Sequence, residues 1–346
     1  MPALPVGYEM TKKETVIQAI RHRETPCVPY HMDFTPPVRE MLAEHYNAED
    51  VDSAVGSYIL WLSWHPSLDF RGKRLSGRLI QDEFGVVWND LSENRGYVEH
   101  HPLDRPDLSG YEFPDPFAPG RFDYLRERIE AHSDLFLLAW CGDLFERAHF
   151  LRGLDHLLAD LHLNPQFVHD LLDNILKFLL GNVKQLAELG VDGIFLSDDY
   201  GHQQSLLMSP RHWREFIKPR LRELFSSIKD AGLFTFLHSC GNVSEVVPDL
   251  IEVELDVLHP VQPEAMDIAS LKSDYGDRLA FYGGISTQQT LPRGTPEEVE
   301  EEVRQTVQFM AKGGGYILAP GITLQHDIPL ENILAFIKAA GNVQFS

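Results

Sequence analysis

This sequence predicts an α/β fold of the (β/α)8 (TIM) barrel type, and three features predict it. Short apolar runs of strand length alternate with longer amphipathic stretches, the pattern of a parallel sheet with helical crossovers. The strand candidates number eight, which favours a closed barrel over an open sheet. Their C-terminal ends carry polar residues and Gly turns, at the rim where such a barrel keeps its chemistry. No G-x-G-x-x-G follows a first strand and there is no Walker A, so dinucleotide and P-loop folds carry little weight. Residues 1–346 are within the reach of one barrel and are read as a single domain.

In chain order the strands fall at Val28–Phe34, Ser57–Ser63, Leu135–Cys141, Gly193–Asp198, Phe234–His238, Val257–Val261, Ala280–Gly284 and Tyr316–Pro320. A helical extension precedes them. Asn164–Leu189 reads as a helix because Leu171, Leu172, Ile175 and Phe178 recur at helical spacing. Pro210–Ala231 carries Trp213, Phe216, Ile217, Leu221, Leu224 and Ile228 in the same rhythm. Thr295–Lys312 opens Thr-Pro-Glu-Glu, a cap followed by Pro and acids in the first turn. Leu330–Ala340 closes the chain. Residues 66–132 are Pro-rich and read as an irregular excursion over part of the barrel.

Composition narrows the functional classes. A net charge of -22 repels nucleic acid and anionic membranes. No apolar run approaches the roughly 20 residues of a membrane span, and Met1–Lys13 shows no leader-like apolar stretch. Cys27, Cys141 and Cys240 are too scattered for a disulfide framework, so a reducing cytoplasm is expected.

The residues that could carry chemistry cluster at strand ends. In Phe234-Thr-Phe-Leu-His-Ser-Cys-Gly241, His238 and Cys240 are two apart and share a face. An imidazole beside a thiolate suits zinc. Read blandly, the pair is a core histidine and a buried cysteine. Ser197-Asp-Asp-Tyr-Gly201 supplies Asp198 and Asp199 as candidate catalytic acids. Asp198, nearer the apolar run, is expected to point into the cavity and Asp199 into the turn. Candidate substrate-binding residues from the early strands are Tyr30, His31, Trp61, Trp64 and Trp140. Later strand ends add Tyr200, Gln203 and Gln262. Cys27 sits at the opposite end of its strand and reads as structural.

Together these motifs resemble the uroporphyrinogen decarboxylase superfamily, which includes cobalamin-dependent methyltransferases. The resemblance runs along nearly the whole chain. It rests on Arg21-His-Arg-Glu-Thr-Pro26, Asp82-Glu-Phe-Gly-Val-Val-Trp88, Leu151-Arg-Gly153 and Asp198-Asp-Tyr-Gly201. It continues through His238-Ser-Cys-Gly-Asn242, His259-Pro-Val-Gln-Pro263, Gly283-Gly-Ile-Ser-Thr-Gln288 and Gly313-Gly-Gly-Tyr-Ile-Leu-Ala-Pro-Gly321, with Asp327-Ile-Pro329 and Glu331-Asn-Ile333 beyond. The decarboxylases carry an Arg-rich segment after the first strand, for a substrate with many carboxylates. Here His31-Met-Asp-Phe-Thr-Pro-Pro37 has no Arg and adds an acid. They also carry a Gly-His-Gly turn after the last strand, where this chain has Pro320.

The methyltransferase branch implies a zinc held by H-x-C and a distant Cys near the end of the last strand. His238 and Cys240 match, but Ile322 stands where that Cys is expected. Asp198, Asp199, Glu264, His259, Cys141 and His326 remain open as a third ligand. The resemblance therefore implies a zinc-dependent methyltransferase. It would move a methyl group from a small methylated donor to a corrinoid on a separate protein, since the chain shows no corrinoid-binding module. One thiolate with N and O ligands leaves zinc more electrophilic than two, which favours a methoxylated, aromatic donor. The alternatives are a uroporphyrinogen decarboxylase-type enzyme and a non-catalytic barrel that binds a small molecule. A homodimer is compatible with either.

Overall fold

The computed structural model describes residues 10–63, 74–90 and 96–342. Its centre is a curled parallel sheet of seven strands, hydrogen-bonded in the order β1-β6-β7-β8-β9-β10-β11. These are β1 Ile59–Leu62, β6 Phe136–Gly142, β7 Gly193–Ser197, β8 Phe234–His238, β9 Val257–Val261, β10 Ala280–Ile285 and β11 Tyr316–Pro320. Each expected segment from Ser57 onward is therefore a strand.

The expected first strand, Val28–Phe34, is realised differently. It makes single parallel bridges, Tyr30 to Leu318 and Phe34 to Leu324, rather than a ladder. Leu318 N donates to Pro29 O at 2.9 Å, and Tyr58 N donates to Tyr30 O at 3.0 Å. Pro29 has no N–H, and Pro36 starts a helix at once, so a continuous ladder has too few donors.

The excursion is more regular than its composition suggests. It holds an antiparallel sheet of β2 Arg74–Ser76, β3 Leu79–Gln81, β4 Val87–Asn89 and β5 Tyr97–His100. Asp82 organises the turn between β3 and β4. Its Oδ1 accepts from Phe84 N and Val86 N, and its Oδ2 accepts from Trp88 Nε1 at 3.0 Å. Arg147, from the helix Phe145–Arg152 after β6, donates to the same Oδ2 at 2.8 Å and ties this sheet to the rim of the curled parallel sheet.

The helices follow the sequence closely. Pro165–Glu188 buries the Leu171, Leu172, Ile175 and Phe178 face. Pro296–Met310 opens with a capping box in which Thr295 and Glu298 satisfy each other's backbone N–H. The expected single helix at 210–231 contains a π-helical turn, Trp213–Ile217, before Lys218–Asp230. Pro219 explains it: its missing N–H and bulky ring break the α-helical ladder, and the wider turn absorbs the break.

Alternate strand residues fill the inside of the curl. Ile59, Phe136, Leu138, Phe195, Phe236, Val257, Tyr282 and Ile317 form one buried cluster. The helical extension, Lys12–Ile20, adds Val16 and Ile20 to that cluster. Its Lys13 N donates to Asp134 O, just ahead of β6, and Gly315 N, just ahead of β11, donates to its Ala19 O. The helix thus plugs the N-terminal end of the curl. Strand residues of the other parity pack outward against the helices. Among the described residues, no helix is long and apolar enough to cross a membrane.

Candidate metal centre and active-site cavity

Above that packed floor, at the C-terminal ends of the strands, lies a cavity of about 520 Å³. Strand parity decides what lines it. On β8, Phe234, Phe236 and His238 point inward, and Cys240 continues that side past the strand end. On β7, Phe195 and Ser197 point inward, so Asp199 follows them. The three polar residues converge. His238 Nε2 lies 3.3 Å from Cys240 Sγ and 3.3 Å from Asp199 Oδ1. One ligand atom from each of the three lies within 4.8 Å of the others. Cys240 N also donates to Asp199 Oδ1 at 2.7 Å, locking the two loops together.

Imidazole N, thiolate S and carboxylate O form a donor set that suits zinc, and three protein ligands leave a fourth position for substrate. Burial alone lowers the His238 pKa, but Cys240 and Asp199 beside it reverse this and hold it well above the ordinary histidine value. His259, paired with His238 in the β8–β9 register, brings its Nδ1 to 2.9 Å from His238 Nδ1. Burial, then the positive potential of His238 and His31, drives the His259 pKa well down.

The walls are aromatic and the polar lining is acidic. Trp61, Trp140, Phe195 and Tyr282 line the cavity with Pro320 and Ile322. Trp61 packs edge-on against Phe195, ring centroids 4.6 Å apart. Asp33, Glu146 and Asp199 are its carboxylates; among the described residues no Arg or Lys lines it. Glu146 faces the cavity from the first turn of the helix after β6, and Ser197 Oγ donates to its Oε2 at 3.3 Å.

The structure reverses the expected order of the aspartates. Asp198 is fully buried and absent from the cavity wall. Its carboxylate caps the helix Phe145–Arg152, accepting from Phe145 N at 3.0 Å and Glu146 N at 2.7 Å, and it also accepts from Tyr200 OH at 2.6 Å. Burial pushes its pKa well up, and those donors oppose the shift. Parity is the reason: counting inward from Phe195 reaches 199, not 198.

The other expected site residues divide. His31, Trp61 and Trp140 line the cavity. Tyr30 does not; it faces the outer layer, where its OH donates to Val55 O at 3.0 Å. Tyr200 is sealed in the core between Phe145 and Trp213. Gln262 is buried and accepts from Gly241 N at 2.7 Å, so it shapes the His238–Gly241 turn from behind. Gln203 is exposed and donates to Glu264 O at 2.8 Å, joining the loops after β7 and β9. Trp64 lies outside the described residues. Of the six open third ligands, only Asp199 joins the His238–Cys240 cluster among the described residues. Cys141 lies on β6 itself, buried in the outer layer between sheet and helices, and burial pushes its thiol pKa up. Glu264 is engaged by Ser286 Oγ and Gln288 N. Sequence reasoning passed over Glu146, whose only signal is its place in the first turn of a helix that follows a strand end.

Comparison with known proteins agrees with this architecture. The profile of the uroporphyrinogen decarboxylase (URO-D) family matches residues 79–343. A methylcobamide:CoM methyltransferase, MtaA of Methanosarcina barkeri, is 32% identical over 154 residues, 44% of this chain and 42% of that protein. A methylated-thiol–coenzyme M methyltransferase of Methanosarcina mazei is 24% identical over 254 residues, 73% of this chain and 61% of its own length. The chain thus spans less than two thirds of either relative. A uroporphyrinogen decarboxylase of Wolinella succinogenes is 23% identical over 239 residues, 64% of this chain and 66% of that one. A solved methyltransferase from Methanosarcina mazei superposes with a TM-score of 0.74 at 21% identity, covering 96% of this chain and 99% of the other, a likeness of fold. With its family profile spanning most of the chain, this protein belongs to the uroporphyrinogen decarboxylase family.

Proposed function

We propose that this chain is a zinc-dependent methyltransferase. It moves a methyl group from a small methylated donor, a methoxylated aromatic compound by our reading, to a corrinoid held on a separate protein. We take residues 1–346 as one domain, and Val28–Phe34 as the eighth stave that closes the curl into a (β/α)8 barrel. The observation that carries the reading is the convergence of Asp199, His238 and Cys240 at the cavity wall. Zinc there would supply Lewis acidity to the donor's ether oxygen, and a single thiolate ligand keeps that acidity high.

The rest falls to the chain's own side chains. Trp61, Trp140, Phe195 and Tyr282 offer an apolar slot that fits an aromatic ring and keeps water out. Removal of the methyl group leaves an oxyanion that must take up a proton. Asp198 is sealed away from the cavity, so Glu146, steadied by Ser197, is the carboxyl group outside the metal cluster that is buried and faces the donor.

The decarboxylase alternative is disfavoured by the same lining. A polycarboxylate would meet Asp33, Glu146 and Asp199 with no lining Arg or Lys among the described residues. The test is elemental analysis of the purified protein, followed by methyl transfer from methoxylated aromatics to reduced cobalamin. About one zinc per chain and formation of methylcobalamin are expected. Conversion of uroporphyrinogen to coproporphyrinogen, with no methyl transfer, would overturn the proposal.

A further inference from the structure

We infer that His259 is a positioning residue for the metal centre: it accepts a hydrogen bond from His238 Nδ1–H and so keeps the Nε2 lone pair of His238 aimed at the space shared with Asp199 and Cys240. The inference rests on the metal reading above and goes beyond the ligands themselves.

The argument is one of proton counting. The two Nδ1 atoms are 2.9 Å apart, so a single hydrogen lies between them. If His259 supplied it, a neutral His238 would carry its own proton on Nε2, pointing at Cys240 Sγ and Asp199 Oδ1, and could not ligate. If His238 supplies it, the neutral ring has a bare Nε2 and ligation is open, a metal ion taking the place of any second proton there. A metal at Asp199 and Cys240 therefore selects the second arrangement, and His259 is what makes that arrangement satisfied.

His259 is well built for the task. Its ring is held between Tyr282, centroids 4.3 Å apart, and Phe195, at 5.4 Å. Tyr282 is fixed in turn by its hydroxyl contact with His31 Nδ1. The backbone is pinned as well, since Ser239 N donates to His259 O at 2.7 Å. Metal-bound histidines usually donate their second N–H to a carboxylate, a carbonyl or water. Here an imidazole takes that place, so the acceptor is a single lone pair in a fixed ring.

The test compares wild type, His259→Leu and His259→Asn by zinc competition against a chromophoric chelator. Leu removes the acceptor and should weaken zinc binding about 10–100-fold. Asn keeps an oxygen near the Nδ1 position and should stay close to wild type. The absorption spectrum of the cobalt-substituted forms reports whether the same ligands remain. On the zinc-loaded wild type, histidine 15N spectra should show His238 protonated at Nδ1 and metal-bound at Nε2, a measurement that does not depend on any variant folding. If wild type binds no zinc, the metal reading falls and takes this inference with it. If wild type binds zinc but His259→Leu binds it equally well, or His238 ligates through Nδ1, the inference alone is overturned.

Discussion

Asp198 and Asp199 are neighbours in the chain but face opposite sides of the β7 end. Asp198 caps the helix Phe145–Arg152 from within the core, and Asp199 lies 3.3 Å from His238 Nε2 in the cavity. The two carboxylates should therefore fail in different ways. Asp198→Ala strands two buried backbone N–H groups and the Tyr200 hydroxyl, and should cost at least about 1–3 kcal/mol in urea unfolding. Asp199→Ala strands one half-buried N–H, that of Cys240, so it should cost the metal-free protein less stability than Asp198→Ala while lowering its zinc affinity. A normal zinc affinity in Asp199→Ala would remove it from the ligand set.

Gly241 should tolerate no side chain. Its φ is +77°, and a Cβ would lie 2.6 Å from Gly201 C and from His202 O. The loops after β7 and β8 touch backbone to backbone at this point, which is what brings Asp199 against Cys240. Gly241→Ala should destabilise by about 1–3 kcal/mol and weaken zinc binding together. Loss of stability with intact zinc affinity would show that the loop contact does not set the metal geometry.

Ile322 lines the same cavity as the metal cluster, at the place where the methyltransferase branch implies a cysteine. Ile322→Cys should add sulfur-to-metal charge-transfer intensity to the cobalt-loaded spectrum and tighten zinc binding. It should also slow transfer from ethers, because a second thiolate makes the metal less electrophilic. An unchanged cobalt spectrum would place residue 322 out of reach of the metal.

Away from the site, burial lowers the Lys272 pKa to about 8. The unfolded chain holds that proton up to a pKa of about 10.4. Between these values the unfolded state binds more protons, so stability should rise with pH. Below about pH 8 both states are protonated, and the full cost of burying the charge is present. Urea unfolding of wild type and Lys272→Met at pH 7.5, 9 and 10 should show the wild type gaining on the variant as pH rises. Parallel pH profiles would mean the ammonium is better solvated than its burial implies.

Much of the sheet was legible in the sequence, because fully buried parallel strands are unbroken apolar runs that end at polar, Gly-marked turns. Phe234–His238 and Val257–Val261 fall at their expected limits. The three-residue strands Leu79–Gln81 and Val87–Asn89 were not legible, since so short a segment shows no period-2 pattern. Within the site, His238 and Cys240 were readable from spacing. Tyr30, Tyr200 and Asp198 depart from expectation for one reason: alternation along a strand says that neighbours face opposite ways, but not which of them faces the cavity. Had the count been anchored on Phe195, and on His31 for the first segment, all three would have been turned away from the cavity. Glu146 had no such anchor, because its orientation depends on a helix cap supplied by Asp198, more than 50 residues away in the chain.

The helix Lys12–Ile20 seals the lower end of the curl with Val16 and Ile20. With that end closed among the described residues, the cavity is left to open at the strand C-termini. Under the proposed reaction, donor, demethylated product and the corrinoid's reactive face must all use the rim at the strand C-termini. Access then becomes a matter of turn-taking. A seated carrier protein blocks the donor's path, and a bound donor must be in place before the carrier arrives. Excess methyl-accepting protein should therefore inhibit its own reaction by arriving too early, and more donor should not fully overcome a carrier that dissociates slowly.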